Sequence, residues 1–172
     1  ILTVPVLNCT SKPSNLIGWW PGDGNTKDII FGNNGTLING ATFSSGKVGN
    51  AFSLDGINDY VFVPNSAALQ NAVDNVTLDA WIYTTSLNPQ MIMVKRNSIF
   101  DKQWYFRLIP NGTVLVPEFV IWDGTAFRTA TSTITVPLNQ WNLVAVAYNK
   151  NAQTLTFYVN NLSETVSFPY TM

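Results

Sequence analysis

The feature that most constrains the fold of this chain is a succession of short strand-like runs that recur at intervals of about ten residues. Each run is rich in β-branched or aromatic residues, and turn-forming residues separate it from the next. No segment places its apolar residues at the period of an amphipathic helix. The pattern therefore predicts an all-β protein, a two-sheet antiparallel sandwich. The runs in the C-terminal part of the chain are Val76–Tyr83, Met91–Lys95, Gln103–Pro110, Val114–Trp122, Ala126–Thr135, Trp141–Tyr148 and Leu155–Val159.

The N-terminal part of the chain carries weaker strand signals. Residues 1–15 contain two prolines and predict an extended arm followed by a linker. Leu16–Trp20 predicts a strand that ends at Pro21-Gly22. Phe52–Leu54 and Tyr60–Phe62 flank Asp55-Gly-Ile-Asn-Asp59, which predicts a tight hairpin.

Several of these stretches together resemble one known family. Phe52-Ser-Leu-Asp-Gly-Ile-Asn-Asp-Tyr-Val-Phe-Val-Pro64, followed by Thr77-Leu-Asp-Ala-Trp-Ile-Tyr83, is similar to the laminin G-like branch of the concanavalin A-like lectin and glucanase superfamily. Leu16–Gly24, Gly40–Gly49 and the late hairpin Trp141–Asn160 match the family in the same order. The resemblance implies a jelly-roll domain over residues 16–172. We expect its core to contain Trp81, Ile82, Leu143, Val144, Val146, Phe157 and Val159.

The resemblance also implies one more strand after the late hairpin, which lies beside the first strand and closes the sheet. The chain reaches Met172 without it. We therefore expect an open sheet edge, and a strand-like arm could fill it. Three alternatives are open: the arm enters the next subunit of a filament, it folds back into its own domain, or the sequence belongs to a longer protein that supplies the strand. The strand-donating residues of the arm would be Ile1, Leu2, Val4, Val6 and Leu7.

Composition limits the partners. Charged residues are 11% of the chain, and nine basic and ten acidic residues give a net charge of −1. Such a chain offers no basic patch for nucleic acid or for a membrane surface. No apolar run is long enough to span a bilayer, so we expect neither nucleic-acid binding nor membrane insertion.

The residues needed for catalysis are not arranged as known hydrolases require. Glucanases of this superfamily place their carboxylates at alternate positions of one strand, and no two acidic residues here are separated by a single residue. Asp55 and Asp59 lie four apart, where they are expected to cap a turn. There is no His, and Cys9 is the single cysteine. We therefore expect no enzymatic activity.

No cofactor is required by any motif, and calcium is the one metal that the composition permits. Asp23 and Asp28 lie in a loop rich in Gly and Asn and are the candidate ligands. The alternative is that both carboxylates only accept hydrogen bonds from the loop backbone.

Two further sets of residues suggest contacts with carbohydrate. Trp104 and Trp122 are the tryptophans least tied to family motifs, and Trp122 precedes Asp123 at a turn, so these three are the candidate sugar contacts. Five Asn-x-Ser/Thr sequons are candidate glycosylation sites in a secreted chain, and a bacterial source would make them coincidental. The sequons are at Asn8, Asn34, Asn75, Asn111 and Asn161.

These observations leave two hypotheses for function. The first is a non-catalytic structural or adhesive subunit of the cell surface, extracellular, which polymerises with its own copies or binds another extracellular protein. The second is a lectin-like module of a secreted protein, with glycans as partners. A glycosidase is disfavoured because the carboxylate pair is missing.

Overall fold

The computed structural model describes residues 12–70, 75–96 and 104–171. The strand-donating arm, Asn8 and Cys9 lie outside these residues. The described chain divides into two compact units between Leu69 and Gln70. A single helical turn, α1 (Ala67–Gln70), lies at the division.

The N-terminal unit contains four short strands in two antiparallel pairs. Strand β1 (Thr36–Ile38) pairs with β4 (Tyr60–Phe62), and β2 (Thr42–Ser45) pairs with β3 (Asn50–Ser53). The expected hairpin between β3 and β4 is therefore wrong, because β3 pairs with β2 and β4 pairs with β1. Leu16–Trp20 also lies outside any strand.

The misassigned hairpin has a physical cause in the loop between β3 and β4. The Asp59 carboxylate accepts hydrogen bonds from the backbone nitrogens of Gly40, at 2.7 Å, and of Asp55, at 3.1 Å. One aspartate thus fastens the loop to the turn that follows β1, and this holds β4 beside β1. The Asp55 carboxylate accepts bonds from the backbone of Ile57 and Asn58, as the turn-capping interpretation expected.

The C-terminal unit contains two four-stranded antiparallel sheets, which we call the β10 sheet and the β8 sheet. The strand order is β12-β11-β10-β5 in the β10 sheet and β6-β7-β8-β9 in the β8 sheet. The strands are β5 (Asn75–Tyr83), β6 (Gln90–Lys95), β7 (Trp104–Asn111), β8 (Val114–Trp122), β9 (Phe127–Thr131), β10 (Trp141–Asn149), β11 (Thr154–Val159) and β12 (Leu162–Ser167). All but β12 were predicted from the sequence as separate runs.

The core of this unit is built from both sheets, as the predicted sandwich requires. Alternate residues of the central strands form one contiguous apolar cluster. Its largest fully buried members are Phe106, Phe119, Phe157, Phe168, Leu108, Leu115, Ile121 and Leu155.

The predicted core is right in four positions and wrong in one. Val144, Val146, Phe157 and Val159 are at most 2% exposed. Trp81 is 49% exposed, because it shares the outward face of β5 with Thr77 and Asp79. The remaining two residues are half-buried: Ile82, which packs against the core, and Leu143.

Candidate functional site

The outer edge of β12 presents a row of backbone groups with which no strand in the described part of the chain pairs. Phe168 N donates to Gln153 O at 2.7 Å, and this bond extends the β11–β12 ladder. Antiparallel pairing alternates, so Leu162, Glu164 and Val166 also direct their backbone groups toward β11. The backbone groups of Ser163, Thr165 and Ser167 therefore point away from the sheet. Within residues 12–70, 75–96 and 104–171, no strand pairs with this edge.

The inner flank of the same strand is incompletely covered. Leu162, Glu164 and Val166 lie opposite the buried residues of β11 and hence face the core side. Yet Leu162 is 56% exposed, and Val166 only partly packs against the core. An exposed leucine beside unpaired backbone groups is the usual character of a strand-pairing edge.

Two of the other edge strands, β5 and β6, are less suited to accept a strand. In the β10 sheet, the inward residues of β5 are buried at Val76 and Leu78 and half-buried at Ala80 and Ile82, so that flank is better covered than the flank of β12, where Leu162 is exposed. In the β8 sheet, β6 is irregular between Met91 and Met93 and follows Pro89. A bulge and a nearby proline both discourage pairing. The edge of β12 therefore combines regularity with uncovered apolar surface.

Glu164 ties this edge to the other sheet. Its carboxylate accepts hydrogen bonds from Ser132 Oγ at 2.6 Å, Thr133 N at 2.7 Å and Thr133 Oγ1 at 3.1 Å. Ser132 and Thr133 directly follow β9, one of the two edge strands of the β8 sheet. The hydroxyl of Ser132 and the donors of Thr133 lower the pKa of Glu164, although partial burial opposes them. The carboxylate thus acts as an ionised clamp between the two sheets.

Asp28, one of the two candidate calcium ligands, is buried and occupied by its own loop. Its two oxygens accept hydrogen bonds from the backbone nitrogens of Trp19, Ile30, Phe31 and Asn33, and from the Asn33 side chain. Burial raises its pKa, but these hydrogen bonds outweigh burial and bring the pKa down to about 2. A calcium ion at this carboxylate would compete with five donors.

Asp23, the other candidate ligand, is exposed and accepts a hydrogen bond from Asn50 N at 3.0 Å. Nearby Gly49 has a φ of 60° and approaches the carboxylate so closely that a Cβ atom would lie 2.8 Å from Asp23 Oδ1. In the described ranges, no three acidic or cysteine side chains gather where they could hold a metal ion.

Trp104 does not present a face to solvent, so the interpretation of this residue as a sugar contact is wrong. It is 7% exposed and lies in the core with Phe119, with ring centroids 6.3 Å apart. The physical reason is the alternation of β7, which turns Trp104 inward together with Phe106 and Leu108. Its indole nitrogen has no hydrogen-bond partner among the described residues.

Trp122 and Asp123 lie at the turn between β8 and β9, where both are half-buried. Trp122 packs edge-to-face on Phe127 with ring centroids 4.9 Å apart. The Asp123 carboxylate accepts hydrogen bonds from the Thr125 hydroxyl, from the backbone of Thr125 and Ala126, and from Arg128. These bonds lower the pKa of Asp123. The carboxylate that was expected to contact sugar therefore holds the turn.

Sequence analysis missed a set of exposed aromatic residues on the outward face of the β10 sheet. Tyr83 on β5 is 50% exposed, and its ring lies 5.8 Å from that of Trp141, its partner on β10. Trp81 and Tyr158 are exposed on the same face. The alternation of β5 could have identified this face, because Trp81 and Tyr83 lie two and four residues after Asp79 and therefore point to the same side of the strand.

An ion pair with a buried carboxylate, on the outward face of the β8 sheet, was also not predicted from the sequence. Arg107 on β7 pairs with Glu118 on β8, which is 5% exposed, and Thr131 on β9 donates to the same carboxylate at 3.2 Å. The three residues lie in register across adjacent strands. The signal available in the sequence was the pair of opposite charges, Arg107 and Glu118, on two consecutive strand-like runs.

Four of the five sequons lie within the described residues, and all four asparagines are exposed. Asn34 and Asn75 use their side-chain oxygens to accept backbone hydrogen bonds from Asp28 and Lys150. This leaves the side-chain nitrogen, the atom that carries a glycan, directed elsewhere. Asn111 begins the turn between β7 and β8, and Asn161 lies in the turn between β11 and β12. Asn8 lies outside the described residues.

None of the helical residues that the structure describes belongs to a helix long and apolar enough to cross a bilayer.

Comparisons with known proteins agree with this architecture. No curated protein sequence matches the chain. The fold is similar to the 2.1 Å crystal structure of an S-layer domain-containing protein (residues 221–444) from Clostridium thermocellum ATCC 27405, with a TM-score of 0.56 and 24% sequence identity. That similarity covers 89% of this chain and 73% of the other. A laminin G family model, described as the Concanavalin A-like lectin/glucanases superfamily, matches residues 55–167. The chain is thus a member of the concanavalin A-like lectin and glucanase superfamily, in its laminin G-like branch.

Proposed function

We propose that this chain is a non-catalytic structural subunit of a cell-surface assembly, and that copies join when the N-terminal arm of one subunit adds to a sheet of the next. The observation that carries this proposal is the edge of β12, whose outward backbone groups pair with no other strand of the described residues and which contains the 56% exposed Leu162. Contacts of this head-to-tail kind propagate into a filament unless the rotation between subunits closes a ring.

Two further observations support the proposal. Residues 1–7 are apolar except for Thr3, and their number is close to the six residues of β12. The solved structure with a similar fold carries the name of an S-layer domain-containing protein, and a surface-layer name accords with a structural role at the cell surface.

Deletion of residues 1–8 from the full chain tests the proposal. We expect the full chain to form filaments or rings that electron microscopy and light scattering detect, and we expect the deletion variant to stay monomeric. Free peptide of residues 1–8 should cap the full-length assemblies and shorten them, because it fills acceptor edges without carrying a new one. Assembly that survives the deletion, or a full chain that stays monomeric at all concentrations, would overturn strand donation.

A second candidate function is carbohydrate binding, and the exposed aromatic residues of the β10 sheet favour it. Tyr83 and Trp141 present adjoining rings, and aromatic faces of this kind stack on pyranose rings. Binding of the full chain to a glycan array, lost on Tyr83→Ala and retained with Phe127→Ala on the other sheet, would support this function. If the array showed no binding, carbohydrate binding would be excluded and only the structural function would be retained.

The non-catalytic part of the proposal has its own test. Asp28, Asp123 and Glu164 accept hydrogen bonds from several protein donors each. We therefore expect no turnover of β-glucans or other polysaccharides by the purified chain. Hydrolysis that Asp55→Asn or Asp59→Asn abolishes would contradict it, because those two carboxylates form the acid pair considered from the sequence.

A further inference from the structure

The edge of β12 dictates which residues of an added strand can bond to it. Its outward-pointing backbone groups belong to Ser163, Thr165 and Ser167, whose side chains lie on the outer face of the sheet. In an antiparallel addition, residues directly opposite each other exchange both hydrogen bonds, so the bonding residues of the new strand also face outward. In a parallel addition, each bonding residue of the new strand lies between two bonding residues of β12 and therefore faces inward.

An extended arm would have two faces of different character, because alternate residues of a strand point to opposite sides. Leu2, Val4 and Val6 would share one face, and all three are apolar. Ile1, Thr3, Pro5 and Leu7 would share the other. Since the inner flank of β12 needs apolar cover at Leu162 and Val166, the face that contains only apolar residues suits the inward position.

Pro5 then selects the direction of the arm. Proline has no N–H and is tolerated only where the backbone nitrogen points away from the neighbouring strand. With Leu2, Val4 and Val6 inward, Pro5 faces outward. An antiparallel arm would then need the missing N–H of Pro5, whereas a parallel arm bonds through its inward residues and does not use Pro5.

We infer that the arm of a neighbouring copy adds to β12 as a parallel strand, with Leu2, Val4 and Val6 beside Leu162, Glu164 and Val166. This inference rests on the proposed function and adds the acceptor edge, the direction and the register. The chosen register is the one that matches all three inward arm residues with the three inward residues of β12. Glu164 at the middle position is compatible with an apolar neighbour because its carboxylate is engaged by Ser132 and Thr133.

Paired aspartate substitutions test which face is inward. In the full chain, Val4→Asp should abolish assembly because it places a charge against the core flank, and the neighbouring Thr3→Asp should assemble as the unmodified chain does. If Thr3→Asp abolished assembly and Val4→Asp did not, the inference would be overturned and strand donation would stand. An antiparallel arm with Thr3 inward would explain that result, because it also requires no hydrogen bond from the nitrogen of Pro5.

Disulfide trapping tests the edge and the direction. In a Cys9→Ser background, we expect Thr3→Cys to form intermolecular disulfides with Ser163→Cys, and Leu7→Cys with Ser167→Cys, so that covalent ladders appear on a non-reducing gel. The matched controls exchange the partners, pairing position 3 with 167 and position 7 with 163. A third control places the cysteine on the opposite edge of the sheet, as Thr77→Cys on β5.

Each outcome of trapping decides one point. Ladders only from the exchanged pairs would show an antiparallel arm. Ladders only from Thr77→Cys, or no ladders from any pair, would exclude β12 as the acceptor. Each of these three results would overturn this inference but not the proposed function. A disulfide within single chains would show that the arm occupies its own β12. That result would overturn the exchange between copies on which the proposed function depends.

Discussion

At the scale of single residues, Asp28 shows how one carboxylate can organise a loop that lacks regular structure. It is 5% exposed and accepts hydrogen bonds from the backbone of Trp19 and of Ile30, which lies in the following turn. Burial alone would favour the protonated acid, but the donors stabilise the anion more. The consequence is a carboxylate whose ionisation is coupled to the folding of the N-terminal unit.

This coupling predicts a pH dependence. The pKa of Asp28 is about 2 in the folded chain and 3.8 ordinarily, so the stabilisation is fully present above about pH 4 and is lost as the pH falls toward 2. We expect Asp28→Asn to lower the free energy of unfolding by about 2 kcal/mol at pH 7. Urea titrations from pH 7 to pH 2 should show the difference from the unmodified chain shrinking with acidity. The exposed Asp79→Asn is the control, and a pH-independent difference would contradict the argument.

The two tryptophans that the sequence misassigned give a second prediction. Trp104→Ala should cost about 3–5 kcal/mol, because it removes a buried aromatic residue from the core. Trp81→Ala should cost less than half as much, because half of that side chain is already in water. Trp104→Phe should be milder than its loss of volume suggests, since it also removes a buried N–H that lacks an acceptor among the described residues. Chemical denaturation of the three variants checks the order, and an equal cost for both alanine variants would contradict it.

These two residues also show what the sequence could reveal about burial. The alternation of β5 already placed Trp81 beside Asp79, and the alternation of β7 placed Trp104 beside Phe106. Family likeness argued for the burial of Trp81, and the absence of a family motif at Trp104 argued for its exposure. The strand period was the better guide, because the face of a side chain follows from backbone geometry, whereas aromatic residues occur on both faces.

At the scale of elements, β12 combines an exposed edge with an inward-facing carboxylate. An inward charge on an edge strand commonly protects against unwanted pairing. Here the Glu164 carboxylate is satisfied by Ser132 and Thr133, so it fastens the edge to the neighbouring sheet. The strand is thereby held in a fixed position while its outer backbone groups stay available.

We expect Glu164→Gln to loosen β12 specifically. The neutral amide keeps the size of the side chain but offers one oxygen acceptor in place of a carboxylate, with an expected cost of about 1 kcal/mol. Amide hydrogen exchange of Glu164 and Val166, which bond toward β11, should accelerate more than that of the buried strand β10. Because the pKa of Glu164 is lowered on folding, acid should produce the same loosening in the unmodified chain. Ser163→Ala on the outer face is the matched control, and equal exchange in both variants would refute the clamp.

Sequence analysis could predict strands better than their partners. The runs of the C-terminal unit match the observed strands closely, since each run is bounded by strong turn residues. The pairing of β1 with β4 depends instead on a contact between Asp59 and Gly40 that is distant in sequence. The candidate site was predictable only in outline: an open edge was expected from family likeness, but its identity as β12 required the hydrogen-bond pattern of the ladder.

At the scale of the whole molecule, the sandwich follows from strand alternation, and the family match over residues 55–167 agrees with it. The charge of the chain is sparse, at 11% of its residues, and three of its carboxylates are engaged by the protein itself. Asp28, Glu118 and Glu164 all bind protein donors. The outer surface therefore depends on neutral polar residues for its hydration.

The uncharged outward face of β12 has a consequence for the conditions that an assembly would tolerate. Ser163, Thr165 and Ser167 are uncharged, and so are the side chains of residues 1–7, while the inward Glu164 carboxylate is already engaged by Ser132 and Thr133. Dissolved ions screen charge over about 10 Å at 0.1 M and about 3 Å at 1 M, but they have little to screen between these outward side chains and the arm. We expect subunit association to change little between fresh water and brine, and sedimentation across that range measures it. Dissociation in concentrated sodium chloride would reveal a hidden ionic contact, whereas indifference would let such a coat persist wherever the salinity of its surroundings fluctuates.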